Sequence, residues 1–133
     1  MLTSTEKLPR WLLIVPVLLV LIYSMLSWIT FTDPESFHTS MTIPVPEHGF
    51  MLLSWGGKNT AIVVGLILAI FSRQLLPLLI MMVVLVTMQF GDINAGFRTN
   101  VNVFVTFIGL GGVILEGILI GLWHSRSPQS IAT

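Results

Sequence analysis

At 133 residues the chain has the size of one compact unit; 54% of it is hydrophobic, only 9% is charged, and its mean hydropathy is +0.93. A soluble domain coated in lysine and glutamate does not have that profile, so the composition predicts an integral membrane protein. The formal net charge is zero with no basic cluster, which argues against a nucleic-acid partner. The absence of cysteine excludes disulfides, thiolate metal sites and cysteine redox chemistry within the chain.

A helix needs about 20 apolar residues to cross the hydrocarbon core, and helix is the assignment that satisfies every backbone group in lipid. Four stretches reach that length, at about residues 10–31, 49–71, 75–97 and 101–123. They predict an all-α bundle of four transmembrane helices as a single domain. The first follows Lys7 and Arg10, but it is too long for a signal-peptide core and no small-residue cleavage site follows it, so it reads as a retained helix. The connection over residues 32–48 holds Pro34, Pro44 and Pro46. Asp33 before Pro34 has the form of an N-cap and first helical position, predicting a short interfacial helix to about Met41 that Pro44 and Pro46 end. This segment is either a connector on the headgroups or a lid over a pocket between the helices.

Ser72, Arg73 and Gln74 form a tight turn that makes the second and third helices antiparallel neighbours. The third helix runs from Leu75 to Phe90, with an extension through Gly91 to Phe97, and the tail over residues 125–133 reads as disordered. Basic residues set the orientation: with both termini in the cytoplasm, Lys7, Arg10, Arg73 and Arg126 lie inside and Arg98 alone lies outside. Trp11 and Trp123 then fall in the inner interfacial belt and Trp28 and Trp55 in the outer one. His38 and His48 have no third ligand fixed nearby, so no metal site is expected.

Charged residues at membrane depth are the functional signal. Lys58 lies in the second apolar stretch and Glu116 in the fourth, where even the lenient insertion scale charges roughly 2.5 to 3.5 kcal/mol for an ionised side chain. On helices of 3.6 residues per turn the polar residues form stripes. Ser54, Lys58, Ala61 and Gly65 share one face, as do Asn102, Thr106, Gly109, Gly112 and Glu116. Gln89 with Asp92, and Tyr23 with Ser27, are spaced to share faces too. Much of such a stripe also serves helix packing, and Gly117 with Gly121 suggests a helix contact or a homodimer seam.

Depth selects the partners. Lys58 lies roughly 13 Å below the outer end of its helix and Glu116 roughly 22 Å below, at 1.5 Å per residue. Lysine snorkels outward, away from Glu116, so Asp92 and Asn94 are its better partners. Glu116 is left deep, where an unpaired charge is costly. The expected ligand pocket, open to the outer leaflet, comprises Tyr23, Ser27, Ser54, Lys58, Asn59, Gln89, Asp92, Asn94, Asn102, Thr106 and Glu116. Lys58, Asp92 and Glu116 are its candidates for acid–base chemistry.

Asp33-Pro34, the run Trp55-Gly56-Gly57-Lys58-Asn59-Thr60-Ala61, and Gly91-Asp92 together resemble the DoxX-like group of small four-helix membrane proteins. The branch most similar has a Gly-Gly-Arg-Asn/Asp element at the second helix and Gly-Asp at the end of the third. The resemblance covers roughly residues 32–96, with Lys58 in place of the usual arginine, which keeps the cation but loses the bidentate fork. Glu116 lies outside the pattern. The resemblance implies the four-helix fold and an association with redox assemblies and quinone-linked membrane systems. Small multidrug transporters also have four helices, but their essential glutamate sits in the first helix, which here carries no charge between Trp11 and Thr32.

The first expectation is a small subunit or binding protein of the bacterial inner membrane, holding a hydrophobic molecule such as a quinone or lipid. It could act as a homo-oligomer or within a larger membrane complex, with no covalent cofactor. A membrane-embedded isomerase or cyclase acting on a lipophilic substrate is the second reading, and proton-coupled ion or solute transport through an oligomer, with Glu116 as the proton-linked group, is the third.

Overall fold

The computed structural model describes residues 7–33, 45–99 and 104–126. A 3-10 turn, Arg10–Leu13, leads into α1 (Ile14–Thr32), followed by α2 (Val45–Ser72), α3 (Leu75–Thr99) and α4 (Phe104–Arg126). By length and composition all four helices can cross a membrane, the mark of an integral membrane protein, with mean hydropathies of 2.5, 1.4, 2.0 and 2.1 over their best windows. Prolines punctuate the starts: Pro16, Pro46 and Pro77 each fall in the first turn of α1, α2 and α3, where a missing N–H costs no helical hydrogen bond.

Three helix boundaries differ from the sequence expectation. The second helix begins at Val45, not near residue 49, because Pro46 fits a first turn and does not act as a breaker. The third takes the expected extension through Gly91 and ends at Thr99, two residues beyond Phe97, since in lipid an unbroken backbone ladder outweighs the weak helix propensity of glycine. Ser125 and Arg126, placed in the disordered tail by the sequence reading, belong to α4. The rest of that tail, the short helix expected through Met41 and the lid reading of its segment lie outside the described residues.

The helices pack in the cyclic order α1–α2–α3–α4, with α4 returning to α1, and the α1–α2 seam is the most extensive. Their inward faces keep spacings of three and four: Leu12, Val15, Leu19, Tyr23, Leu26 and Thr30 on α1; Leu78, Met82, Leu85 and Gln89 on α3; Gly109, Val113, Glu116 and Ile120 on α4. That alternation of three and four is the spacing by which helices in a bundle turn one face to a shared core. Outward positions are apolar too, Phe71 being 81% exposed and Leu68 66%, as a surface bathed in lipid requires. Hydroxyls are satisfied locally: Thr30, Thr32 and Thr87 donate to the carbonyls of Leu26, Trp28 and Val83 at 2.7, 2.7 and 2.9 Å.

At one end of the bundle Arg73 closes the α2–α3 turn with φ of 52°, a left-handed conformation, and its N–H meets the carbonyls of Ala69 and Ile70 at 3.2 Å. The segment before α1 is clasped to this turn. Leu8 N–H donates to Arg73 O at 2.8 Å, the Arg73 guanidinium donates to Leu8 O at 2.7 Å, and Lys7 and Gln74 form an isolated antiparallel bridge.

Candidate functional site

The sequence places the polar residues of α2 on the face of Lys58, and the structure turns that helix by one residue. Ser54 and Ala61 are exposed and Lys58 and Gly65 half-buried, while Gly56, Asn59, Ile62, Leu66 and Ala69 point inward. The reason is close approach. A Cβ on Gly56 would meet the Thr30 and Phe31 side chains at 3.0 to 3.1 Å, so the glycine is where α1 and α2 touch, and Asn59, three residues on, follows it into the core. Ser27 and Thr60 finish this contact: the Thr60 hydroxyl reaches Gly56 O at 2.9 Å and Ser27 Oγ at 3.2 Å, and Ser27 Oγ lies 3.5 Å from Gly56 O.

Lys58 Nζ bonds both carboxylate oxygens of Asp92 across the α2–α3 seam, with the two side chains 24% and 30% exposed. The expected Lys58–Asp92 pair is present; Asn94 is exposed. One turn inward from Asp92, Gln89 is buried and its amide donates to the Tyr23 hydroxyl, a bond that crosses the bundle from α3 to α1. Gly109 of α4 faces this bond, where a Cβ would come within 2.7 Å of the Tyr23 hydroxyl and closer still to the Gln89 amide. The Gly109→Ala variant is therefore expected to lose about 1 to 2 kcal/mol by displacing the Tyr23–Gln89 bond, whereas Gly111→Ala, with nothing near its Cβ, keeps or gains stability. Equal thermal melts for the two variants in detergent would show that α4 does not press on that bond.

Two buried polar side chains have no hydrogen-bond partner among the described residues: both side-chain polar atoms of Asn59 and both carboxyl oxygens of Glu116. Asn59 is 1% exposed and occupies the α2 face next to Lys58, at the level of the polar layer. Glu116 is fully buried and deeper. The buried residues one turn to either side of it on α4 are Val113 and Ile120, and Leu12 of the 3-10 turn with Val15 and Leu19 of α1 point inward along the same half of the bundle. A Cβ on Gly112, one turn before Glu116, would meet Leu19 at 3.0 Å, which fixes α4 against that apolar stretch.

Of the remaining sequence candidates, Thr106 is half-buried on the inward side of α4 and Asn102 lies outside the described residues. Among the described residues no cluster of three metal-ligating side chains occurs. A surface recess of about 210 Å³ lies at the other end of the bundle, lined by Trp11, Leu119, Leu122, Trp123 and Arg126. The sequence reading missed the contact role of Gly56; its clue was the pair of adjacent glycines preceding Lys58.

The layer thus offers an ion pair closed on itself at the rim, a cross-bundle tyrosine–glutamine bond behind it, and an amide whose donor and acceptor meet no partner among the described residues. No family model, curated protein or solved structure matches the chain.

Proposed function

We propose that the chain is a small integral membrane binding protein or subunit that holds the polar end of a hydrophobic molecule, such as a quinone or lipid, at the layer formed by Tyr23, Asn59, Gln89, Lys58 and Asp92. The observation that carries this reading is Asn59: a fully buried amide with no hydrogen-bond partner among the described residues costs about 1 to 3 kcal/mol, and a molecule offering a carbonyl or hydroxyl to it would offset that cost. Lys58 and Asp92 bind each other, which leaves neither free as an acid or base and favours binding over the isomerase or cyclase reading. Transport finds less support, because the inward faces between the Gln89 layer and Glu116 are apolar on α1, α2 and α3. The likeness to the DoxX-like group belongs to the same proposal, and with it a place in a larger membrane assembly. Lys7, Arg10, Arg73 and Arg126 at one end favour that end as the cytoplasmic side of a bacterial inner membrane.

Native mass spectrometry of the wild-type chain in mild detergent, followed by organic extraction, is expected to show one lipophilic species retained at a defined ratio. Asn59→Leu is expected to lose it while remaining folded by circular dichroism. A chain that purifies bare, or an Asn59→Leu variant that retains the same species, would sink the reading.

A further inference from the structure

Away from the polar layer, the end of the bundle at which α1 begins combines two features that neither stability nor the proposed binding layer requires. Trp11, Leu119, Leu122, Trp123 and Arg126 line a surface recess of about 210 Å³, with Trp11 and Leu122 each 45% exposed. Around it the charge has one sign. Lys7, Arg10 and Arg126 are exposed there with Arg73 beside them; among the described residues the one acid of this half, Glu116, is fully buried, and Asp33 and Asp92 belong to the far half.

Each basic residue can be followed. Arg73 is committed, because its guanidinium donates to Leu8 O at 2.7 Å and supports the clasp. Arg126 lines the recess at its α4 wall, while Arg10 is exposed at the same end and precedes, in the 3-10 turn, the Trp11 that forms the opposite wall. The recess therefore has apolar and aromatic sides and one cation, Arg126, in its lining, with Arg10 exposed at the same end of the bundle. Its volume is below the roughly 300 Å³ of pockets that enclose a small molecule, which suits a length of acyl chain lying against the protein. Tryptophans seat such chains at the headgroup level, and paired arginines on one face of a helical bundle bind phosphate head groups.

We infer that this recess is a binding site for one anionic phospholipid, its phosphate held between Arg10 and Arg126 and an acyl chain laid over Trp11, Leu122 and Trp123. The site is separate from the Asn59 layer and does not depend on what that layer binds. A zwitterionic lipid fits the apolar part equally well but brings its own cation to a rim that is already positive, so selectivity comes from charge and location from shape.

The test uses the full chain in phosphatidylcholine vesicles carrying a minor fraction of dibrominated phosphatidylglycerol or, in the parallel arm, dibrominated phosphatidylcholine. In a Trp28→Phe/Trp55→Phe background the remaining emission comes from Trp11 and Trp123. Stronger quenching by the brominated anionic lipid is expected. Each of Arg10→Gln and Arg126→Gln should lower the preference roughly fivefold, the equivalent of about 1 kcal/mol per basic residue near the surface. Leu122→Phe fills the recess while keeping every charge, and is expected to remove the excess quenching. Native mass spectrometry of the unaltered chain, released from vesicles of the two lipids in equal amounts, gives a second readout, with one phosphatidylglycerol retained in preference. Equal quenching by the two brominated lipids overturns the inference. A preference that survives Leu122→Phe overturns it as well, because attraction would then come from diffuse surface charge with no site.

Discussion

Lys58→Met and Asp92→Asn are each expected to lower thermal stability in detergent by about 3 kcal/mol, and the double variant to recover part of that loss. The pair joins α2 to α3 through both carboxylate oxygens and is less than one-third exposed, to surroundings that are lipid. Removing one partner leaves the other charged in a medium that solvates it poorly, and that orphaned charge supplies most of the loss. Removing both takes away the attraction and the desolvation together, so the cycle should be strongly non-additive. The measurement is a set of four melts in one detergent. If the two single losses simply add, the side chains do not act on each other, and the rim of the polar layer is not held as described.

Glu116→Met is expected to raise stability by about 1 to 3 kcal/mol, which is unusual for a fully buried position. Both carboxyl oxygens are without partners, so the native residue costs desolvation and returns no hydrogen bond among the described residues. Methionine occupies similar volume with a flexible apolar chain and has no such cost. Glu116→Gln separates shape from polarity: the amide would be as poorly satisfied as the acid, so it should gain far less than methionine. A loss of stability in Glu116→Met, measured beside Glu116→Gln in the same melts, would show that the carboxyl has a partner in the membrane that holds the fold together. A gain would mean that the glutamate persists for work other than folding.

The sequence was a good guide to the helices and a partial guide to their faces. Length and hydropathy place all four spans, because lipid permits no cheaper backbone solution than a continuous helix. The extent of α3 was harder, since Gly91 punctuates a soluble helix but not one whose carbonyls have no water to turn to. Faces were harder still. In water, apolar periodicity separates core from surface, but here Leu66 is buried and Leu68 exposed with the same side chain. Only small and polar residues mark the interior, and on α2 they conflict: Lys58 suggests one face, Gly56 and Asn59 the next. The lysine side chain is long enough to reach Asp92 from the flank of the seam, so its charge located a partner without locating the core. On α4 no such conflict arises, and Gly109 and Glu116 are both inward as their spacing implies.

The clasp between Leu8 and Arg73 joins residues 65 apart in sequence, and this separation has a consequence for biosynthesis. When α1 and α2 have left the ribosome they can already pair along their long seam, but the peptide ahead of α1 has nothing to bind until the turn at Arg73 emerges. Closing a loop of that length costs only a few kcal/mol beyond a short one when its ends are free, and far less once an α1–α2 hairpin holds them close. The last step of the first half is thus a latch that engages when the second hairpin begins, so the bundle should assemble by pairs from its N-terminal side, with α3 and α4 added to a template already fastened at one end.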